Sequence, residues 1–335
     1  MNIRKLAQVG LWGPFLLTLF ASTQLSAKFE DTVEESFSTT GPGLLNLKLQ
    51  GSNVDIDTYD GSEVRIAITR TLRRGDEEDF QKELEKLDLT FEQSGNTIHC
   101  TLEYAGKKSG WGFLFGRSNR LNFKTVVKLP KQFDADVHTS GGSIFLNDLV
   151  GEAKLRTSGG RIEMDNIQGD LVAKTSGGGI QAKDCSGDVE MRTSGGSIKA
   201  QNIAGKLYGR TSGGNITIED IEGDADVSTS GGSINLGTVV GNLEASTSGG
   251  SIRASIAGQP TKDCYLKTSG GSIYIAVDPN ANLNIDASTS GGSVKTQLSM
   301  AKTETKRSSM KGTLNEGGPL LKTRTSGGSI HINSI

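Results

Sequence analysis

The dominant pattern of the chain is an alternation of apolar and polar positions that returns every eighteen residues. In each period a Thr-Ser-Gly-Gly tetrad is followed, two positions after its second glycine, by an aliphatic side chain, as Ile198 follows Gly196. Nine residues further on, another glycine is again followed two positions later by an apolar residue, as Leu207 follows Gly205. Alternation with a period of two is typical of a strand with one buried face. Each period therefore predicts two short strands joined by two turns.

This repeat extends over the C-terminal part of the chain. Glycines recur every nine residues from Gly142 to Gly250, and the tetrad returns at Thr268, Thr289 and Thr325 after longer intervals. A fixed period near twenty residues is typical of a solenoid, in which each repeat buries its apolar face only against its neighbours. The expected fold is all-β: a single-stranded β-solenoid, or β-helix, with 18-residue coils of two strands. A right-handed stack is expected, although the repeat does not itself fix the hand.

Two kinds of residue predict the corners of the coil. Glycine adopts at no steric cost the positive φ that tight corners require. The other corner carries short polar side chains that can hydrogen-bond the local backbone as stacked Asx turns. A calcium site would also use such a row, but its recurrence at every corner favours the structural role. These residues are Asp148, Asn166, Asp184, Asn202 and Asp220.

The N-terminal part of the chain differs from the repeats. Residues 1–27 predict a signal peptide, because a basic start and an apolar stretch lead to the cleavage site Leu25-Ser-Ala27. Residues 28–130 predict a β-rich cap that hides the apolar end of the stack, with one short helix from Asp76 to Leu87. The protein is therefore expected to be exported, to the periplasm, the cell surface or the medium.

The repeats are predicted to occupy residues 131–335, with a polar insertion at about 300–320. Forty-five glycines and 5% aromatic residues fit a thin, repetitive β structure rather than a thick globular core. The formal net charge of −2 argues against nucleic acid as a partner. Three cysteines cannot all pair in an exported chain. Cys185 and Cys264 take inward positions in distant coils and are predicted to be buried and unpaired, and Cys100 lies on a separate strand.

Reactive groups are sparse in the sequence. The three histidines, His99, His138 and His331, fall in distant segments, and none belongs to a nucleophile or metal motif. No phosphate-binding loop or dinucleotide fingerprint occurs either. We therefore expect a protein that is not an enzyme and that uses neither a cofactor nor a metal.

Two outward rows of charge are the candidate ligand contacts. Members of one row lie about 4.8 Å apart on stacked strands, so like charges need compensation from the opposite row or from a ligand. The basic row is suited to an anionic glycan or another envelope polymer. The alternatives are that both rows only keep the surface soluble, or that paired carboxylates cleave a polysaccharide. The basic row consists of Arg156, Lys174, Arg192 and Arg210, and the acidic row of Glu152, Asp170, Asp188 and Asp224, interrupted by Lys206.

One loop of the cap is rich in aromatic residues. Trp111, Phe113 and Phe115 stand between basic flanks. Such a tip is suited to peripheral contact with a membrane surface or to a partner. The alternative is a hairpin folded over the cap, with its aromatic rings filling a gap. The sequence predicts no oligomeric state.

Taken together, these motifs resemble the bacterial putative-adhesin β-solenoid family over about residues 40–335. The resemblance rests on the strand Val126-Val-Lys-Leu-Pro130, on the tandem Thr-Ser-Gly-Gly-Ser-Ile coils, and on half-coils that begin Gly-Asp-Leu or Gly-Asp-Val. It implies a non-enzymatic envelope or surface protein. The leading hypothesis is an exported, adhesin-like binding or scaffold protein. The alternatives are a purely structural envelope protein and a carbohydrate-active β-helix enzyme.

Overall fold

A computed structural model describes residues 29–105 and 120–335 of the chain. The described part is mostly β structure with one short helix, α1 (Glu77–Leu84). The strands that precede the repeats are β1 (Glu30–Ser38), β2 (Leu44–Leu49), β3 (Ser52–Tyr59), β4 (Glu63–Leu72), β5 (Leu87–Ser94), β6 (Thr97–Tyr104) and β7 (Leu121–Pro130).

Short strands in the repeats alternate with tight corners. They are β8 (Asp134–Thr139), β9 (Ile144–Asn147), β10 (Ala153–Thr157), β11 (Ile162–Gln168), β12 (Leu171–Lys174), β13 (Ile180–Ser186), β14 (Val189–Arg192), β15 (Ile198–Ala204), β16 (Leu207–Arg210), β17 (Ile216–Glu222), β18 (Ala225–Ser228), β19 (Ile234–Val240), β20 (Leu243–Thr247), β21 (Ile252–Ile256), β22 (Cys264–Thr268), β23 (Ile273–Val277), β24 (Leu283–Thr289), β25 (Val294–Thr296), β26 (Ala301–Lys306), β27 (Ser309–Leu314), β28 (Leu320–Thr325) and β29 (Ile330–Ser334).

These strands form two long sheets, whose strands pair in parallel throughout the repeats apart from the hairpin β26–β27. Sheet A has the order β1-β4-β7-β3-β9-β11-β13-β15-β17-β19-β21-β23-β29-β25. Sheet B has the order β26-β27-β24-β28-β22-β20-β18-β16-β14-β12-β10-β8-β2-β6-β5. In the repeats the chain alternates between the sheets, so each turn of the backbone adds one strand to each of them.

The apolar alternation seen in the sequence sets the pairing register. Ile162 lies opposite Ile180, which in turn lies opposite Ile198. This stacked aliphatic column is in the core, as the pattern predicts, because one-residue slippage would turn every member of it to solvent. Its members are at most 8% exposed: Ile144, Ile162, Ile180, Ile198, Ile216, Ile234, Ile252, Ile273, Val294 and Ile330.

The threonine of each tetrad is buried and links neighbouring coils. The Thr193 hydroxyl donates a hydrogen bond of 2.8 Å to the carbonyl of Gly178 in the preceding coil. The same oxygen accepts the backbone N–H of Gly196 at 3.3 Å. Buried backbone groups that lack a partner are costly, and this hydroxyl supplies a partner to two of them.

The glycines are required for two different reasons. Gly187 and Gly205 have φ values of 128° and 149°, so positive φ explains glycine at this corner. The tetrad glycines do not have positive φ, and the explanation from backbone angles is wrong for them. A Cβ on Gly196 would instead lie 1.9 Å from the carbonyl oxygen of Gly178. Close contact between coils therefore demands glycine in the tetrad.

At the Asx corner the structure agrees with the predicted role. All five residues have φ between 51° and 60°. The amide of Asn166 donates to the Asp148 carboxylate at 2.6 Å, and Asn202 donates to Asp184 at the same distance. Alternating Asn with Asp lets adjacent side chains bond where two stacked carboxylates would repel.

The segment before the repeats enters both sheets. β2 pairs in parallel with β8, and β3 pairs in parallel with β9, so these strands form one more coil ahead of the repeats. Helix α1 buries Phe80 and Leu84, and the Asp76 side chain caps it by accepting the N–H of Asp79. The helix is shorter than predicted, because Leu87 begins β5 and pairs with Tyr104.

The last coils are stacked out of chain order. β28 lies between β22 and β24, and β29 lies between β23 and β25. The C-terminal coil is thus interposed between two coils that precede it in sequence. The polar insertion at about 300–320 forms the hairpin β26–β27, and β27 pairs antiparallel with β24. This hairpin continues sheet B at the far end of the stack.

Candidate functional site

The outer face of sheet B carries the charged rows that the sequence singled out. Each short strand of this sheet points two side chains outward, and parallel pairing aligns them from coil to coil. Lys174 lies opposite Arg192, and Arg192 opposite Arg210, so the basic row is continuous. A second row of side chains also faces solvent and lies two residues earlier on each strand. We call it the inner row, although none of its side chains faces the core. It consists of Asp136, Lys154, Val172, Glu190, Tyr208, Asp226 and Glu244.

Each basic residue of the basic row has a carboxylate partner in the inner row. Glu190 binds two of them, with its oxygen 2.9 Å from the Lys174 ammonium and 2.6 Å from the Arg192 guanidinium. The other two pairs are Arg156 with Asp136 at 3.3 Å and Arg210 with Asp226 at 3.2 Å. Compensation was expected from the acidic row or from a ligand. The structure instead places it in the inner row, whose register with the bases is a property of the folded sheet.

The ring of Tyr208 contacts two of these basic residues. The guanidinium carbons of Arg192 and Arg210 lie 4.6 and 4.5 Å from the centre of its ring. Arg210 is on the same strand as Tyr208, and Arg192 is on the neighbouring strand. Cation–π contacts of this kind contribute about 0.5–1 kcal/mol at exposed sites. The ring and the carboxylates together hold both guanidinium groups in fixed positions.

Glu190 gives this face a pH-dependent element. Its partial burial opposes ionisation, but the hydrogen bond and charge of Lys174 together with Arg192 outweigh burial and lower the pKa of Glu190 below 4.5. A group with a lowered pKa stabilises the fold above its unfolded-state pKa, and that contribution is lost as the pH falls through the folded-state pKa.

We therefore expect Glu190→Gln to be less stable than the wild type at neutral pH and equally stable in acid. The difference should be complete above pH 4.5, the ordinary pKa of this carboxyl, and should close as the pH falls below that value. Urea unfolding of both proteins between pH 3 and 7 measures it. A stability difference that does not change with pH would contradict the assigned ion pairs.

The acidic row has a different role from the one expected of it. One carboxylate oxygen of Asp170 accepts the backbone N–H of Asp188 at 2.9 Å, and Asp188 accepts that of Lys206 at 3.0 Å. Asp224 accepts the N–H of Asn242 at 3.0 Å, and this bond is the main cause of its lowered pKa. These carboxylates cap the backbone of the next coil, so their recurrence has a structural reason.

A groove follows the acidic and inner rows across several coils. Its volume is about 520 Å³, and Leu171, Val189, Leu207, Ala225 and Leu243 contribute apolar lining. Seven carboxylates and two ammonium groups also line it, so its charge is predominantly negative. The charged residues are Asp170, Asp188, Glu190, Asp224, Asp226, Glu244, Asp263, Lys206 and Lys262.

A second groove, larger in volume, lies on the same sheet beside the cap. It has a volume of about 780 Å³ and contains His138, Arg156, Asp88 and Glu103. His138 thus lies next to the first base of the basic row, at a position that pairs directly with Arg156. Sequence analysis had set this histidine aside for lack of a motif, although it stands eighteen residues before Arg156 and directly before the Thr139 tetrad, so the period of the repeat already places it in the basic row.

On sheet A, sequence reasoning missed a stack of rings and charge. The Tyr274 and His331 rings are stacked with centroids 5.0 Å apart, and the Arg253 guanidinium lies 4.9 Å from the Tyr274 ring centre. Tyr274 is 38% exposed. No sequence signal points to this stack, because His331 reaches Tyr274 only through the interposed C-terminal coil.

Several predicted features remain outside the grooves or outside the described residues. Trp111, Phe113 and Phe115 lie outside the described ranges, and so does the predicted signal peptide, residues 1–27. The three cysteines are free and buried. Burial raises the pKa of Cys100 to about 12, so this thiol is a poor nucleophile at neutral pH.

Within residues 29–105 and 120–335, no group of three or more His, Cys, Asp or Glu side chains is arranged to hold a metal ion. In the same ranges, no helix has the length and apolar character needed to span a membrane.

Several solved structures of bacterial proteins match the chain. A putative cell adhesion protein from Clostridium sporogenes is 11% identical, with 91% of this chain and 100% of that chain covered at a TM-score of 0.24. A putative adhesin from Bacteroides fragilis is 11% identical, with 91% and 97% covered at 0.28. A putative adhesin from Parabacteroides merdae is 12% identical, with 90% and 95% covered at 0.30.

No curated protein matches the chain. A family model does match, and it covers residues 44–333, from the start of β2 into the last strand, β29. This family is described by its architecture, the toastrack, and not by a catalytic activity. The resemblance drawn from the tandem tetrads is thereby confirmed: the chain belongs to the Toastrack DUF4097 family.

Proposed function

We propose that the protein is an exported, adhesin-like binding or scaffold protein of the cell envelope or surface, and that it is not an enzyme. In this proposal residues 1–27 direct export, residues 28–130 cap the stack, and residues 131–335 form a right-handed solenoid of 18-residue coils. The outer face of sheet B is its recognition surface.

The observation that carries this proposal is the groove of about 520 Å³ that crosses successive coils of sheet B. Parallel pairing repeats its side chains at the strand spacing of about 4.8 Å. An extended polymer lying across the strands therefore meets an outward side chain at a constant interval. Several weak contacts along one rigid surface together give a higher overall affinity than any single contact.

The charge of the groove favours one class of polymer. Carboxylates predominate along it, so an acidic polymer is disfavoured, whereas a neutral or amine-bearing envelope glycan finds many hydrogen-bond acceptors. An anionic polymer held by the basic row would have to compete with Glu190 and Asp226 for Lys174, Arg192 and Arg210. We therefore place the ligand in the groove, with the basic row as its flank.

The test is co-sedimentation of the purified protein with peptidoglycan, outer membrane and surface polysaccharide. The groove variant is Asp226→Arg with Glu244→Arg, which reverses two carboxylates that line it. The matched control is Glu219→Arg with Glu222→Arg, on exposed positions of β17 in sheet A. We expect the groove variant to lose at least about tenfold in glycan binding, and the control to bind as the wild type does.

Other results would redirect the proposal. Binding that survives the groove variant but is lost on reversing Lys174, Arg192 and Arg210 together would identify an anionic ligand. Binding to lipid that depends on Trp111 would assign recognition to the aromatic loop. Binding to none of the fractions would overturn the recognition role.

A purely structural envelope protein is the second candidate. It is favoured by the acidic row, because Asp170 and Asp188 each accept a backbone N–H of the next coil with one carboxylate oxygen. A carbohydrate-active enzyme is the third. An enzyme of this kind would depolymerise a glycan, and substitution of a single carboxylate would abolish that activity.

A further inference from the structure

The two ends of the stack leave strand edges open in the described part of the chain. At the N-terminal end the outermost strands are β1 in sheet A and β5 in sheet B. At the C-terminal end they are β25 in sheet A and β26 in sheet B. The backbone N–H and C=O groups along such edges can form a ladder with a strand of another molecule.

The same ends expose part of the core. Apolar side chains that pack on the core without full burial lie on or beside the terminal strands. The rings of Phe37 on β1 and Phe91 on β5 meet at the N-terminal end, with centroids 6.2 Å apart. At the other end, Leu298 and Met300 lie between β25 and β26. Both ends therefore offer apolar area that a second surface would remove from water.

The edge strands of the two ends carry opposite charge. β1 and β5 contain six carboxylates and no basic residue, whereas β25 and β26 contain three lysines and one carboxylate. The carboxylates of the N-terminal end are Glu30, Glu34, Glu35, Asp88 and Glu92, together with Asp31, which is paired with Arg70 of β4. The charged residues of the C-terminal end are Lys295, Lys302, Lys306 and Glu304.

We propose that copies of this protein associate end to end, with the N-terminal edge of one molecule against the C-terminal edge of the next. Charged edges usually keep strands from pairing with other molecules. Here the charges repel two like ends but attract two unlike ends. Unlike ends form a heterologous contact, and a contact of that kind along the stack axis produces open chains of molecules rather than a closed dimer.

Strand direction and charge spacing agree in sheet B. β5 runs antiparallel to β6, and β6 is parallel to the body of the sheet. β26 runs antiparallel to β27, which is itself antiparallel to β24, so β26 has the direction of the body. A contact between β5 and β26 is therefore antiparallel. An antiparallel pairing that places Asp88 beside Lys306 brings Glu92 to the start of β26, where the strand is irregular between Ala301 and Glu304 and carries Lys302. All four charged side chains are exposed.

The test is sedimentation velocity of the protein, expressed from Met1 and purified after processing, at increasing concentration. We expect the average mass to rise beyond a dimer without reaching a plateau. Two variants reverse one end each: Asp88→Lys with Glu92→Lys, and Lys302→Glu with Lys306→Glu. Like charges directly opposite destabilise a strand pair, so each variant alone should associate about tenfold more weakly.

An equimolar mixture of the two variants should regain association, because each reversed end then meets a complementary one. A matched control, Glu219→Lys with Lys199→Glu, changes outward charges of sheet A far from both ends and should associate as the wild type does. Circular dichroism verifies that every variant is folded. A monomer at all concentrations, a plateau at a dimer, or a mixture that fails to recover would each overturn the proposal.

Discussion

A Gly196→Ala variant is expected to lose about 3 kcal/mol or more of its free energy of unfolding, although it gains only one methyl group. The new Cβ would lie 1.9 Å from the carbonyl oxygen of Gly178 and 2.5 Å from the backbone nitrogen of Gly179. Both atoms belong to the backbone of the preceding coil, so no rotamer change relieves the clash. The strand ladders on both sides hold the two coils at their spacing, and the strain spreads to them.

The neighbouring glycine provides the matched control. A Cβ on Gly195 would have its nearest contact at 3.4 Å, with the carbonyl oxygen of Gly177. Gly195→Ala therefore adds the same group in the same tetrad at ordinary van der Waals distance, and we expect it to change stability by less than about 1 kcal/mol. Guanidinium unfolding followed by circular dichroism compares the two variants. Equal losses would refute the close-contact explanation of the second tetrad glycine.

An Ile216→Ala variant is expected to lose about 2–5 kcal/mol, the usual range for an aliphatic core truncation. Ile216 is fully buried and lies between Ile198 and Ile234 in the aliphatic column. The strand spacing is set by backbone hydrogen bonds, so the neighbouring isoleucines cannot close onto the space. The cavity therefore persists, and its cost adds to the lost transfer free energy.

Thr217→Ala is the control for this truncation, because Thr217 follows Ile216 on the same strand but faces outward and is only partly buried. We expect it to cost less than about 0.5 kcal/mol. Hydrogen exchange adds a spatial test, since repeats interact mainly with their neighbours. The Ile216→Ala variant should lose most protection in β15, β17 and β19. Loss spread evenly along both sheets would contradict nearest-neighbour coupling.

Much of the fold could be predicted because the pattern is local and repeated. The alternation around Ile198 identifies the buried face, and Asp184 with Asn202 identifies a corner, without knowledge of any distant contact. The reason given for glycine was correct at Gly205 and wrong at Gly196. Backbone angles can be anticipated from one coil, but the approach of a second coil to the tetrad is a property of the stack.

The candidate site was predictable only in part. The continuity of Lys174, Arg192 and Arg210 follows directly from the period of eighteen. Their partners do not, since any carboxylate of the outer face is a candidate until the strands are in register. The folded sheet selects Glu190 and Asp226 as partners, and it gives Asp188 to the backbone.

The repeating coil, its buried columns and its corners follow from the amino-acid pattern alone, because each coil contacts its neighbours at a constant offset along the chain. The order of the last coils, the stack of Tyr274 with His331 and the charged strands at each end depend on the folded chain. These features depend on which strand finally lies beside which. Backbone hydrogen bonding is nearly indifferent to that choice, so side-chain packing between distant segments decides it.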